Sequence, residues 1–163
     1  MSKVLLIADT HFGHNGISEK FRTKFSSDLD HDETIYHNIM GRASKRNTLW
    51  LLGDVCFKER EFWRLREMSL YYHSVHIIMG NHEHNGLPWY CTTHAIKIHG
   101  ALKKWGYWLT HIPVHPQELY RGKNIHGHVH KNSVEDPNYF NVSCENVGYK
   151  PITLQEIKQR LGE

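Results

Sequence analysis

Apolar residues in this chain arrive in short runs, and nearly every run ends on a polar side chain. KVLLIA (3–8), TLWLLG (48–53), SVHIIM (74–79), HAIKIH (94–99), YWLT (107–110), KNIH (123–126) and YFNVS (139–143) have the length and composition of β-strands. Between some of them the spacing changes to that of a helix. Residues 32–43 place Ile35, Ile39 and Met40 on one side, with Asp32 and Glu33 near the positive end of the dipole. Residues 59–70 place Phe62, Leu65 and then Met68 or Ser69 on one face. The closing PITLQEIKQRL offers Thr153 as a helix cap with Glu156 three residues later, the pattern of a capping box. The order β-α-β-α-β, followed by closely spaced strands, predicts an α/β layered sandwich: two mixed β-sheets flanked by α-helices, with the first three strands parallel.

No repeat, low-complexity tract or Pro/Gly/Ser-rich linker divides the 163 residues, so residues 1–163 are expected to form one domain with one substantial core. No run approaches the roughly 18 apolar residues of a membrane span. The first apolar stretch, Val4 to Ala8, is too short for a signal peptide and no small-residue cleavage site follows it. The expectation is a soluble, cytoplasmic protein with no membrane partner. Cys56, Cys91 and Cys144 are odd in number, far apart and without a CxxC pair, which points to reduced thiols and away from a thiolate zinc site. The formal charge of +3 permits an anionic substrate but is not the basic stripe of a dedicated nucleic-acid binder. Fifteen histidines, scattered and not gathered in a tag, are the compositional outlier. Metal ligation is the commonest folded-state reason for such an excess.

The polar residues that end the runs repeat one chemistry. The first strand leads into Asp9-Thr10-His11, the second into Asp54, the third into Asn81-His82, YWLT into His111, and KNI into His126-Gly127-His128-Val129-His130. Open α/β sheets hold ligands beyond the carboxyl ends of their strands, so five separate segments bring metal-ligating side chains to one rim. Each segment alone has a plainer reading. Asp-x-His is commonly a polar turn, Gly-Asp a turn or helix cap, and Gly-Asn-His a left-handed turn with an asparagine cap. His128 and His130 fall on one face of an extended segment, which is a ligand geometry and also a frequent surface accident. All five together, each at a strand end, are much harder to explain by chance.

In this order the blocks Asp9-x-His11, Gly53-Asp54, Gly80-Asn81-His82-Glu83, His111 and Gly127-His128-x-His130 resemble the signature of the calcineurin-like metallophosphoesterases. DTHFGHNGI, LTHIPVHP and HGHVH…NVSCENVGYKPITLQEI extend the likeness to the small single-domain members. Gly53-Asp54-Val55-Cys56-Phe57-Lys58 lacks the Asp-Arg-Gly segment of the eukaryotic-type protein phosphatases, although Glu83 matches their Asn-His-Glu form. The resemblance implies a two-metal site. Asp9, His11, Asp54 and His130 would hold one divalent ion, and Asp54, Asn81, His111 and His128 the other, with Asp54 bridging. Oxygen and imidazole ligands suit manganese first, with iron, zinc or nickel as alternatives.

The activity implied is hydrolysis of a phosphodiester or a small nucleotide-like phosphate by a hydroxide shared between the ions, with Asp54 and His82 as catalytic residues. His82 would face the substrate and assist the leaving group, or else support a neighbour by a hydrogen bond. Two divalent ions set against Asp9, Asp54 and one hydroxide leave the site about one unit positive only if the other ligands are neutral, which gives Asn81 its reason to lead the third block. Gly53, Gly80 and Gly127 would let the backbone turn sharply or approach the ions closely. His14 and Arg22, with Asn81 and His82, are the candidate substrate contacts, though His14 and Arg22 also read as parts of a solvated loop. Glu83 and His84 take supporting roles, and the five tryptophans read as packing. The competing readings are a phosphomonoesterase, a nuclease, and a scaffold that keeps the fold to bind partners; the complete ligand set disfavours the last. Substrate identity and oligomeric state are not legible.

Overall fold

Alternation along the strands sorts the chain into layers. In the computed structural model, which describes residues 1–163, β1 (Val4–Ile7), β2 (Thr48–Leu52), β3 (Ser74–Ile78) and β4 (Lys97–His99) run parallel in one sheet. Leu5, Ile7, Leu49, Leu51, Val75 and Ile77 enter a core with Ile35 and Ile39 of α2 (Asp28–Met40), Leu65 and Met68 of α3 (Phe62–Tyr71) and Leu87 and Cys91 of α4 (Leu87–Thr93). Their neighbours Leu6, Trp50, Leu52 and Ile78 enter a second core with Tyr107, Leu109 and Ile125 of the other sheet and with Val142 just beyond its last strand. Successive strand residues face opposite ways, so these strands need apolar side chains at consecutive positions to fill two cores.

The second sheet contains β5 (Leu102–Lys104), β6 (Tyr107–Leu109), β7 (Lys123–His126) and β8 (Tyr139–Asn141) in that order. β5 pairs antiparallel with β6, and the rest pair parallel. The short β9 (Ile152–Thr153) closes the first sheet antiparallel to β1, giving the order β4-β3-β2-β1-β9. Both sheets are therefore mixed. Helices α2, α3 and α4 cover the outer face of the first sheet, while Ile157 of α5 (Leu154–Arg160) joins the core between the sheets. The two sheets are joined at their carboxyl rim, where Ala8 N donates to Val142 O at 2.9 Å and Cys144 N to Ala8 O at 3.0 Å.

Several boundaries differ from the sequence expectation. Helix α2 starts at Asp28 and not at 32, because Ser27 Oγ accepts from Asp30 N at 3.0 Å and the first-turn acids are Asp28 and Asp30. Residues 59–61 form a 3₁₀ turn ahead of α3. The predicted strand 94–99 begins only at Lys97, since α4 runs to Thr93 with Pro88 in its first turn and Ala95 adopts φ +55°. Strand β5 went unrecognised because Leu-Lys-Lys offers no alternation to read. Helix α1 (Ile17–Lys20) is a single turn within the loop after β1. No helix is long and apolar enough to cross a membrane, and all three cysteines are buried and unpaired.

The capping box is present as the sequence suggests. Glu156 N donates to Thr153 Oγ1 at 3.1 Å, and Thr153 N donates to Glu156 Oε2 at 2.8 Å. Thr153→Ala should lower the unfolding free energy by about 1 kcal/mol, read from the urea midpoint. An unchanged midpoint would show that the cap contributes nothing to folding.

Candidate metal centre

The loops that leave the strands do not separate at once. Asp9 N donates to Gly53 O at 3.0 Å, His11 N to Asp54 O at 2.9 Å and Phe12 N to Val55 O at 2.9 Å, so the loops after β1 and β2 continue as a ladder beyond the sheet. On the second sheet Gly127 N donates to His111 O at 2.9 Å. The two sides are joined by His128 N donating to Asp9 Oδ2 at 3.0 Å, and the third loop by His82 N donating to Asp54 Oδ1 at 2.9 Å. Every block singled out in the sequence is thus tied to another by a backbone N–H, which meets a carbonyl in some cases and a carboxylate in others.

This packing forces unusual backbone. Asp9, His11, Asp54, His128 and His130 have φ of +58°, +51°, +51°, +72° and +51°, in the left-handed region that side chains other than glycine seldom occupy. Each such residue costs about 1–3 kcal/mol and persists only where its surroundings over-determine it. Glycines make the close approach possible. A Cβ on Gly80 would collide with the backbone nitrogen and Oδ1 of Asp54, and one on Gly127 would lie 2.6 Å from Asp9 Oδ2.

Seven side chains converge as a result. Asp9, His11 and His130 form one group, with ligand atoms within 4.8 Å of one another, and Asp54, His111 and His128 form a second. Asp54 faces both: its Oδ2 lies 3.7 Å from His11 Nε2 and its Oδ1 lies 3.3 Å from His111 Nε2. Asn81 reaches the second group, with Oδ1 3.0 Å from His111 Nε2. His111 Nδ1 donates to Leu52 O at 2.8 Å. Its Nε2 lone pair is therefore aimed at two oxygen acceptors, and a proton or a metal cation must sit among the three. His130 Nδ1 faces Glu145 Oε1 at 3.2 Å, which likewise leaves Nε2 available.

The electrostatics fit a cation. Asp9 Oδ1 and both ring nitrogens of His11 are buried without a hydrogen-bond partner. Groups left in that state cost about 1–3 kcal/mol each, and a divalent ion would engage several at once. Burial opposes ionisation of Asp54, but the His111 ring and the His82 N–H together bring its carboxyl down to about 2. Asp9 is also held below the ordinary carboxylate range despite its burial, chiefly by His11 and His111. Both carboxylates are charged, and the remaining members of the two groups are imidazoles and one amide. That donor set suits a borderline transition-metal ion better than calcium.

At the mouth, Asn81 and His82 are exposed. The His82 ring stacks on Phe57, with centroids 5.6 Å apart and planes at 20°, and Phe57 stacks in turn on His11 at 4.9 Å. His14 is half-buried against the same phenyl ring at 4.7 Å. Phe57 went unremarked in the sequence because a phenylalanine two residues beyond Val55 carries no chemical signal. Glu83 clasps the loop after β2, accepting from Val55 N at 3.1 Å and Gly80 N at 3.3 Å, while His84 Nδ1 accepts from Gly86 N. Arg22 corrects the expectation of a solvated loop or substrate contact: it is 2% exposed, and all three of its nitrogens engage partners inside the protein.

Comparison with known proteins adds a family. A family model described as calcineurin-like phosphoesterase matches residues 2–159. An uncharacterized protein of Methanocaldococcus jannaschii is 28% identical over 166 residues, covering 96% of this chain and 90% of that one. The crystal structure of a protein of unknown function from Aquifex aeolicus superposes with a TM-score of 0.68 at 22% identity, over 98% of this chain and 99% of that one, and so shares the fold. A phosphopantetheinyl hydrolase from Mycobacterium tuberculosis superposes with a TM-score of 0.43 at 18% identity, over 70% of this chain and 42% of that one.

The Gly80 contact gives a direct test. Gly80→Ala should destabilise the fold by about 1–3 kcal/mol through overpacking against Asp54. The gain in melting temperature on adding Mn²⁺ should shrink in the same variant. Wild-type melting with and without the ion would mean that the β3 loop tolerates a side chain there.

Proposed function

Because this chain belongs to the calcineurin-like phosphoesterases, a family of metal-dependent phosphoester hydrolases, we propose that it hydrolyses a phosphodiester or small nucleotide-like phosphate at a pair of divalent ions. The observation that carries this reading is Asp54, whose two oxygens face the rings of separate histidine-containing groups. Asp9, His11, Asp54 and His130 would hold one ion, and Asp54, Asn81, His111 and His128 the other. When bound, such a pair supplies positive charge for the phosphoryl oxygens and acidifies water at neutral pH. Manganese is the first choice of metal, with iron, zinc or nickel as alternatives.

The chain's own groups divide the remaining work. His82, exposed and held by stacking on Phe57, is placed to give a proton to the leaving oxygen or to stabilise its charge. Such assistance is typically worth about 10²–10⁴ in rate. Asn81 offers a neutral oxygen, which keeps the site cationic towards phosphate. His14 lines the same mouth and is a candidate substrate contact. Arg22 faces inward, so it is not available to counter the second negative charge of a monoester, and this favours a diester. Buried, unpaired thiols fit a reducing cytoplasm.

Hydrolysis of bis-p-nitrophenyl phosphate and of p-nitrophenyl phosphate, with Mn²⁺ and with a chelator, tests the reading. Metal-dependent turnover favouring the diester is expected, and no turnover of either substrate would move the protein to the scaffold class. His82→Ala should lower kcat for the diester by about 10²-fold or more with both ions retained. Asn81→Asp should keep its metal and lose turnover, because the added carboxylate cancels the positive charge. Full activity of that variant in saturating Mn²⁺ would refute the charge argument.

A further inference from the structure

Behind Asp9 lies a buried network that the scheme above leaves unused. Arg22 Nε donates to Glu145 Oε1 at 2.8 Å, Nη2 donates to the backbone oxygen of Asp9 at 2.7 Å, and Nη1 meets His31 Nε2 at 2.7 Å. An arginine has donors only, so His31 must accept through Nε2 and carry its proton on Nδ1. That proton points to Asp32 Oδ1 at 2.7 Å, and Asp32 Oδ2 accepts from Gly13 N at 2.9 Å. His31 is 0% and Asp32 6% exposed. At its other end the network reaches His130 through Glu145 Oε1, which also fixes which nitrogen of that ring is free.

The network touches one half of the centre. It holds the carbonyl of Asp9, whose backbone is in the left-handed region, and it orients His130. The other half is supported differently, by the Leu52 carbonyl on His111 and by the His82 N–H on Asp54. We propose that Arg22, oriented by His31 and Asp32, is a positioning residue for the ion held by Asp9, His11, His130 and the shared Asp54. It sets the occupancy of that position separately from the position at Asp54, Asn81, His111 and His128. The inference rests on the two-ion reading.

Charge and position predict opposite signs, which makes the inference testable. Removing a buried cation beside a cation site tightens metal binding if charge alone acts. Loss of positioning weakens it, by about 10–100-fold for groups that orient ligands. Arg22→Lys keeps the charge and loses the fork of donors, whereas Arg22→Gln loses both. Mn²⁺ titration of the metal-stripped protein by calorimetry, with metal content per chain after dialysis, reads the two positions. In both variants one of two ions should bind about 10–100-fold more weakly while the other keeps its affinity. Two ions bound as in the wild type would overturn the proposal. So would tighter binding in Arg22→Gln, or equal weakening of both ions with a lower melting temperature, the mark of a merely structural role.

If the Arg22 variants do not fold, Glu145→Asp supplies the test, since that partly exposed side chain keeps its charge and loses its reach to Arg22 and His130. It should weaken the same single ion, and unchanged binding of both would overturn the proposal. A wild-type chain that takes up fewer than two ions would overturn the two-ion reading itself, and this inference with it.

Discussion

One carboxylate held between two imidazoles organises the rim of this protein. Asp54 can face His11 and His111 at once only because it sits at the end of β2, between the strand that ends in Asp9 and the strand that leads to Gly80. Its backbone is strained at φ +51°, its nitrogen and Oδ1 leave no room for a Cβ on Gly80, and its Oδ1 takes the N–H of His82. Each constraint comes from a different loop. The position of the carboxylate is therefore a property of the whole rim, and the loops in turn depend on two sheets joined at Ala8, Val142 and Cys144.

That dependence explains what the sequence could disclose. Two-sided burial requires unbroken apolar runs, so the strands were visible, and the side chains that end them were visible with them. Position at the strand ends, which share one edge, brought out the segments that hold Asp9, His11, Asp54, Asn81, His111, His128 and His130, and the family resemblance separated these from neighbours such as His82 and His126. Short elements were hidden for the same reason. Leu102–Lys104 is an edge strand with one half-buried residue, and Leu87–Thr93 is too short to display a helical period. The Arg22 network was hidden by distance. Arg22 and Glu145 are 123 positions apart, and nothing in KFRTK distinguishes an arginine turned inward from one in solvent. The histidine excess was informative only in part, since His76, His84, His99 and others serve packing and hydrogen bonding away from the ligand groups.

The two ligand groups are equally buried, with Asp54 at 1% and His111 at 3% exposure, but solvent reaches them from one side only, and this gives the site a direction. Asp9 and His11 lie under the rim at 0% and 6% exposure, backed by the arginine network and by Phe57. Asn81 and His82 stand in solvent on the loop after β3, and His128 and His130 are intermediate. A phosphate arriving from solvent meets the amide and the imidazole of that loop before it meets the buried carboxylate. The same burial that orphans Asp9 Oδ1 removes competing water from the floor of the site formed by Asp9, His11, Asp54 and His111, where an electrostatic interaction is strongest. The exposed loop after β3 carries a neutral amide oxygen and an imidazole ring. Strain, burial and charge are concentrated where an ion would be fixed, and freedom is left where a substrate would have to enter and leave.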